Sequence, residues 1–315
     1  MLKRLILLFL VLFSFDAYAN EYKPSKLYQE IGNVKYDELS SLLQNGYNIN
    51  EKEPRFGLSL LMRAVSFNYD AEVIQKLIRL GANVGERDKS GKTALMHAVS
   101  FNNNPEVIKT LINNGAEVND VDYNGVTPLM YAVAGNGSNI TNYVKRNIKD
   151  VFTGELIKSN FPKEDNKDNS LKIIRMLIEK FDNVNQLDKL GKNALSHAAA
   201  SNNLPEVIYV LAKSNVNFED NNGNTPLFEA IAANQDMNIV KAVLDIGADI
   251  NYKNKNGMAA LSVAAIGTRM PYIMDFLLKA GADKLAVDKM GKMAVFYAKN
   301  NPYLNNSNMI KTLSK

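Results

Sequence analysis

The most regular feature of the chain is the spacing of its apolar positions. In Gly91–Asn119, GKTALMHAVSFNNNPEVIKTLINNGAEVN, apolar residues recur three and four apart in two short stretches, the period of a helix with one buried side. The pattern predicts helices over 94–101 and 105–113, with Gly115 ending the second by supplying positive φ. Nearly the same phrase returns along the chain. Its glycines are Gly57, Gly91, Gly125, Gly191, Gly223, Gly257 and Gly291, at spacings of 34, 34, 66, 32, 34 and 34 residues. A period of about 33 marks a stacked repeat array. Each unit is too small to bury its apolar stripe alone, so residues such as Val107, Ile108, Leu111 and Ile112 must pack on neighbouring units.

Within that period, GVTPLMYA (125–132) and GNTPLFEA (223–230) resemble the opening G-x-T-P-L-H-x-A of the ankyrin repeat, and PEVIKTLINNGAEVN, NIVKAVLDIGADIN and YIMDFLLKAGAD resemble its second half. The resemblance runs through seven units from Pro54 to the C-terminus and implies an all-α solenoid of stacked helix-turn-helix units with hairpin loops. Residues 20–53 look like an N-terminal capping or degenerate repeat that lacks the opening phrase. Threonine and proline at the helix start suit a capped beginning with preset φ. One departure from the family is consistent: its histidine is replaced by Met62, Met96, Met130, Ser196, Phe228, Ser262 and Phe296, which removes a polar link between repeats.

The 66-residue spacing is the one irregular place. Residues 139–170 separate the first helix of the fourth unit from an expected second helix over 171–181. The segment has the length of about one repeat but lacks T-P-L-x-x-A, and its PKEDNKDNS tail is polar and loop-like. It reads as an insertion, with a degenerate repeat as the alternative. An insertion on a regular array is a natural place for partner contacts, or simply a tolerated surface loop.

At the N-terminus, Lys3 and Arg4 precede the apolar run Leu5–Phe13, followed by Ala17-Tyr18-Ala19. This predicts a secretory signal peptide over 1–19, cut after Ala19. A spanning helix needs about 20 apolar residues, and Asp16 interrupts the run too early. The expected location is periplasmic or secreted, with no stable membrane insertion after cleavage. The chain has no cysteine, so neither disulfides nor a lipidated N-terminal cysteine is available. The formal charge is +4, far from a nucleic-acid-binding balance.

Candidate chemistry is sparse. Gly91-Lys92-Thr93 ends like a nucleotide-binding loop, but the glycine required five residues before Gly91 is Glu86, and Gly85 misses the register by one. The segment reads as a hairpin turn entering a helix. The two histidines, His97 and His197, belong to units at least two apart, roughly 20 Å by the spacing of stacked helices, and are expected to pack between repeats. Glu72, Glu106 and Glu206 recur where a second helix begins, complementing its dipole. Asp88, Asp122, Asp188, Asp220 and Asp288 recur in Asp-x-x-Gly and suit turn capping, since the dense oxygen ligands of a calcium loop are missing. No catalytic residue, metal site or cofactor is expected.

Lysines flank several hairpin glycines: Lys89 with Lys92, Lys189 with Lys192, Lys289 with Lys292. The ankyrin resemblance implies that hairpin tips and the exposed side of the first helix form a concave binding surface. The corresponding positions also hold Arg55, Phe56, Phe67, Phe101 and Tyr123. Aromatic anchors with a basic rim suit an acidic protein surface, while lysines at turns also serve solubility. The expected function is a non-catalytic protein-protein interaction module, with no nucleic-acid partner. The alternative is an immunity protein or exported effector that inhibits a partner enzyme.

Overall fold

The computed structural model describes residues 25–43, 46–135, 167–305 and 308–314. The expected signal peptide and residues 139–166 of the expected insertion lie outside them. The chain divides into two compact units, with the boundary between Asp182 and Asn183.

The first unit contains α1 (Lys26–Glu30), α2 (Tyr36–Leu43), α3 (Leu60–Phe67), α4 (Ala71–Arg79), α5 (Ala94–Phe101), α6 (Pro105–Asn113), α7 (Pro128–Gly135) and α8 (Lys167–Lys180). First helices pack on first helices, α3 on α5 and α5 on α7, and second helices pack on second helices, α4 on α6 and α6 on α8. The reason lies in the repeated positions. Leu61, Leu95 and Leu129, then Ala64, Ala98 and Ala132, then Val65, Val99 and Val133 are all buried. Each leucine stabilises by about 1.5–3 kcal/mol on burial, and the alanines let neighbouring helices approach. The second helices bury Val73, Ile74 and Leu77, Val107, Ile108 and Leu111, and Ile173, Ile174 and Leu177.

Residues 25–53 form a helix pair despite lacking the opening phrase. Leu27, Tyr28, Ile31 and Leu39 are fully buried, and the Tyr28 hydroxyl donates to the Leu58 carbonyl at 3.1 Å. Helix α8 begins at Lys167, four residues ahead of the expected start. Its added turn is packed: Ser170 is buried, and the Asn169 amide reaches the Tyr69 hydroxyl at 3.3 Å. A polar run that reads as loop is here the first turn of a helix.

The second unit contains α9 (Ala194–Ser201), α10 (Pro205–Val210), α11 (Pro226–Glu229), α12 (Met237–Asp245), α13 (Ala260–Gly267), α14 (Pro271–Lys279), α15 (Ala294–Asn300) and α16 (Asn308–Ser314). Helix α11 runs into a π-helical turn, Ala230–Asn234, closed by Gln235 at φ +60°. The extra residue of that turn aims the Gln235 amide at the Gly267 carbonyl of the next repeat, 3.2 Å away. Among the described residues β-structure is limited to two isolated antiparallel bridges, Lys52 with Ser59 and Val287 with Met293, at the bases of hairpins.

Two polar ladders add directional links to this apolar stack. Where a first helix ends, the amides of Asn68, Asn102, Asn234 and Asn301 each donate to two carbonyls of the preceding repeat: Ile31 and Val34, Val65 and Asn68, Ala199 and Asn202, Ala265 and Thr268. Between repeats, the carbonyl oxygens of the Asn50, Asn185, Asn217 and Asn251 side chains accept the N–H of Asn83, Asn215, Asp249 and Asp283.

Candidate functional site

Each hairpin is built around one acidic or amide side chain. Asp88 Oδ1 accepts the N–H groups of Ser90 and Lys92 at 2.7 and 2.9 Å, closing the turn with the positive-φ Gly91. Its second oxygen, Oδ2, lies 2.9 Å from His97 Nε2 on α5. The arrangement recurs with different partners. Asp122 Oδ2 accepts from the Tyr131 hydroxyl at 2.7 Å, Asp188 Oδ2 meets His197 Nε2 at 2.9 Å, and Asp288 Oδ2 accepts from the Tyr297 hydroxyl. One carboxylate therefore caps the turn and ties it to the helix that follows.

The latch adds a polar contact to histidines expected only to pack between repeats. His97 and His197 are latched to an aspartate of their own repeat, nine residues earlier in the chain. Burial pushes Asp88 upward, but His97 and the Lys92 and Ser90 N–H groups outweigh it and hold the carboxyl below the usual range. For His97 burial dominates, with Asp88 opposing it, and the ring is held below its ordinary value. At neutral pH the pair is a neutral imidazole donating from Nε2–H to an ionised carboxylate.

The lysines separate into two kinds. Lys89 and Lys189 are exposed, whereas Lys92 and Lys192 are half-buried. Lys92 Nζ sits 4.6 Å from the centre of the Tyr131 ring; burial lowers its pKa while Asp88 and Asp122 pull it back up. Lys192 Nζ contacts Glu229 Oε1 at 2.6 Å, with side chains 19% and 11% exposed. Both reach from one repeat into the next, so they act as struts and not as hairpin tips. The role of Tyr131 and Glu229 was legible only in retrospect: they occupy the position that holds His97 and His197 in other repeats.

The other candidate residues of the first unit fall into two groups, one on the hairpins and one at the ends of the first helices. Adjacent hairpins are joined by backbone hydrogen bonds, Lys89 N–H to Phe56 C=O at 2.8 Å and Tyr123 N–H to Ser90 C=O at 3.0 Å. This row carries Arg55, whose guanidinium lies 4.9 Å over the half-buried Phe56 ring, then Lys89, then Tyr123, which is 60% exposed. Half-buried Phe67 and Phe101 sit at the C-terminal ends of the packed helices α3 and α5. The Arg63 guanidinium, absent from the sequence-based candidates, is held between the Tyr28 and Phe67 rings at 5.2 and 5.6 Å. Phe101 stacks on His97 at 6.3 Å. Lys189 and Lys192 belong to the second unit. Among the described residues no group of three or more His, Asp or Glu side chains is placed to hold a metal ion, and no helix is long and apolar enough to cross a membrane.

A family model described as ankyrin repeats (3 copies) matches residues 32–122, 61–151 and 166–254, well over half of the chain. The chain belongs to the ankyrin-repeat family. Its helix-pair repeats and hydrogen-bonded hairpins are those of an all-α ankyrin array, and ankyrin repeats generally act as protein-protein interaction modules. A probable serine/threonine-protein kinase of Dictyostelium discoideum is 33% identical over 108 residues, 32% of this chain and 11% of that protein. A putative ankyrin repeat protein of Acanthamoeba polyphaga mimivirus is 37% identical over 68 residues, 21% of this chain and 9% of that protein. The chain thus spans about a tenth of the length of these curated relatives.

The latches of this ankyrin-repeat array make its stability depend on acid. His97 and Asp88 both have depressed folded-state values, so each binds protons less readily when folded. The His97 contribution is complete above its ordinary 6.5 and is lost as pH falls through the folded value; the Asp88 contribution follows the same sign below 3.8. The melting temperature should be level just above pH 6.5 and decline below it. In His97→Gln the decline should begin only in the carboxylate range. An unchanged onset in that variant would place the acid sensitivity elsewhere.

Proposed function

We propose that this ankyrin-repeat protein is an exported, non-catalytic binding module that captures an acidic surface of another protein through the hairpin row and first-helix ends of its first unit. The observation that carries the reading is Tyr123. It is 60% exposed although its backbone is tied to the hairpin that carries the exposed Lys89, which is tied in turn to the hairpin of the Arg55–Phe56 pair. A large ring held in place before binding loses little entropy on association and has the character of a hot spot. Phe67 and Phe101 extend the aromatic surface, and Lys189 presents a further exposed cation on the second unit. Lys92 and Lys192 contribute by holding neighbouring repeats together. Export rests on the leader-like residues 1–19, and the location is the periplasm or the medium.

Crosslinking in the native compartment, followed by mass spectrometry, tests the surface. Arg55→Glu with Lys89→Glu, and separately Tyr123→Ala, should each reduce capture of one specific partner about tenfold or more, as removal of a hot-spot residue does. Lys92 and Lys192 are left intact so that the fold is not disturbed. Unchanged capture in both variants would sink the proposed surface. If the captured partner is an enzyme whose turnover falls on binding, the module acts as an inhibitor or immunity protein. Cell fractionation with N-terminal sequencing tests export, with Asn20 the expected first residue of the mature chain.

A further inference from the structure

The second helices of the array follow one plan, and α10 departs from it at both ends. Helices α4, α6, α12 and α14 each run nine residues, whereas α10 runs six. Its core pattern is unchanged: Val207, Ile208 and Leu211 are buried at the spacing of Val73, Ile74 and Leu77 and of Val107, Ile108 and Leu111. The helix stops before that pattern is complete, and Leu211 falls on the C-cap.

The cause at the C-terminal end is missing chain. The hairpin glycines on either side, Gly191 and Gly223, are 32 residues apart where neighbouring repeats have 34. Helices α4, α6, α12 and α14 are followed by Gly81, Gly115, Gly247 and Gly281, all at positive φ. The next N–H, of Ala82, Ala116, Ala248 or Ala282, reaches back five residues to the carbonyl of Leu77, Leu111, Val243 or Leu277 and closes the helix. No glycine follows α10, and the Ser214 N–H reaches back only three residues, to Leu211. Ser214 stands where Ala82, Ala116 and Ala282 are buried. Its hydroxyl is therefore buried as well, with no hydrogen-bond partner among the described residues.

The N-terminal end is also open. Asp70, Asn104 and Asp236 each accept the N–H of the residue two further on, while Leu204 makes no side-chain cap. Helix α14 lacks a side-chain cap too, and no glycine directly follows α8, but these helices keep nine and fourteen residues. In α10 the cap, the glycine and the length are lost together. What fastens it from outside lies in water: the Tyr209 hydroxyl donates to Asp245 Oδ2 at 2.9 Å, and the Asn215 N–H donates to Asn185 Oδ1 at 2.7 Å, both exposed.

We propose that residues 204–217 form a strap that opens by local unfolding while α12 beneath it stays folded. Helix α10 packs on α12, whose Ile239, Val240 and Val243 are buried, so lifting the strap uncovers an apolar face that the closed array hides. The first helices α9 and α11 pack on each other directly, so the stack does not depend on the strap for its continuity. Segments with few closing bonds and exposed fastenings are those that open below the global unfolding free energy. The strap stands independently of the surface proposed on the first unit.

Hydrogen exchange read by mass spectrometry on the full-length chain tests it. After correction for intrinsic rates, the amides of α10 should exchange about fiftyfold faster than those of α12: about fivefold for the absent cap and about tenfold for the buried hydroxyl. Leu204→Asn repeats the Asn-Asn-Asn-Pro of residues 102–105 and should slow α10 about fivefold. Ser214→Ala should slow it about tenfold. Neither should alter α12. Equal exchange of the two helices in the unaltered chain would overturn the proposal. So would variants that slow both helices together, which marks global unfolding, or fast exchange of α10 that neither substitution slows.

Discussion

Gly91→Ala should lower the unfolding free energy by roughly 3 kcal/mol, through strain combined with overpacking. Gly91 has φ +83°, a conformation that costs an L-residue about 1–2 kcal/mol. The larger part is steric. A Cβ there would lie 2.7 Å from Tyr123 Cδ1 and 2.8 Å from Tyr123 N, so the third hairpin would have to move off the second and stretch its 3.0 Å bond to Ser90. Gly115→Ala is the matched control, with φ +90° and nothing within 4 Å of the new methyl; only the conformational cost of about 1–2 kcal/mol should appear. Urea denaturation followed by circular dichroism measures both. Equal losses would mean that hairpin stacking contributes nothing. Because the same movement displaces Tyr123, Gly91→Ala should also weaken partner capture more than its stability loss alone explains.

Asn102→Ala should cost about 3 kcal/mol, with no cavity of comparable size to account for it. The side chain is 1% exposed. Its amide donates to the Val65 and Asn68 carbonyls at 2.9 and 2.8 Å, and its oxygen accepts the Asn104 N–H at 3.0 Å. Truncation leaves three backbone groups short of a partner, and a buried group without one costs about 1–3 kcal/mol. Asn102→Asp is the sharper probe. It keeps the shape and the acceptor but turns a donor into a charged oxygen facing two carbonyls, so it should be worse than alanine at neutral pH and recover as the carboxyl is protonated. If Asn102→Asp is tolerated at neutral pH, the ladder is not a structural link between repeats.

The array and its buried positions were legible because each repeat uses the same local rule. Leu95, Ala98 and Val99 fall on one side of a helix by spacing alone, and recurrence at 61, 64 and 65 and at 129, 132 and 133 repeats the message. The same holds for Asp88 as a turn cap, since a side chain that bonds N–H groups two and four residues on is a short-range feature. The start of α8 was misplaced because Lys167–Ser170 is polar, and only packing against Tyr69 shows why that turn is helical.

What the sequence by itself determined is the period, the helix pairs, the turn glycines and the membership in a repeat family, all set by contacts within about one unit. Tertiary structure decided which of those residues are available. Lys89 and Lys92 look alike three residues apart, yet one is exposed and the other lies over Tyr131, 39 positions later in the chain. The same is true of Met62 and Met293, the one fully buried and the other 36% exposed. Exposure depends on what the neighbouring repeat covers, and that is a property of the stack that no single repeat carries in its own spacing.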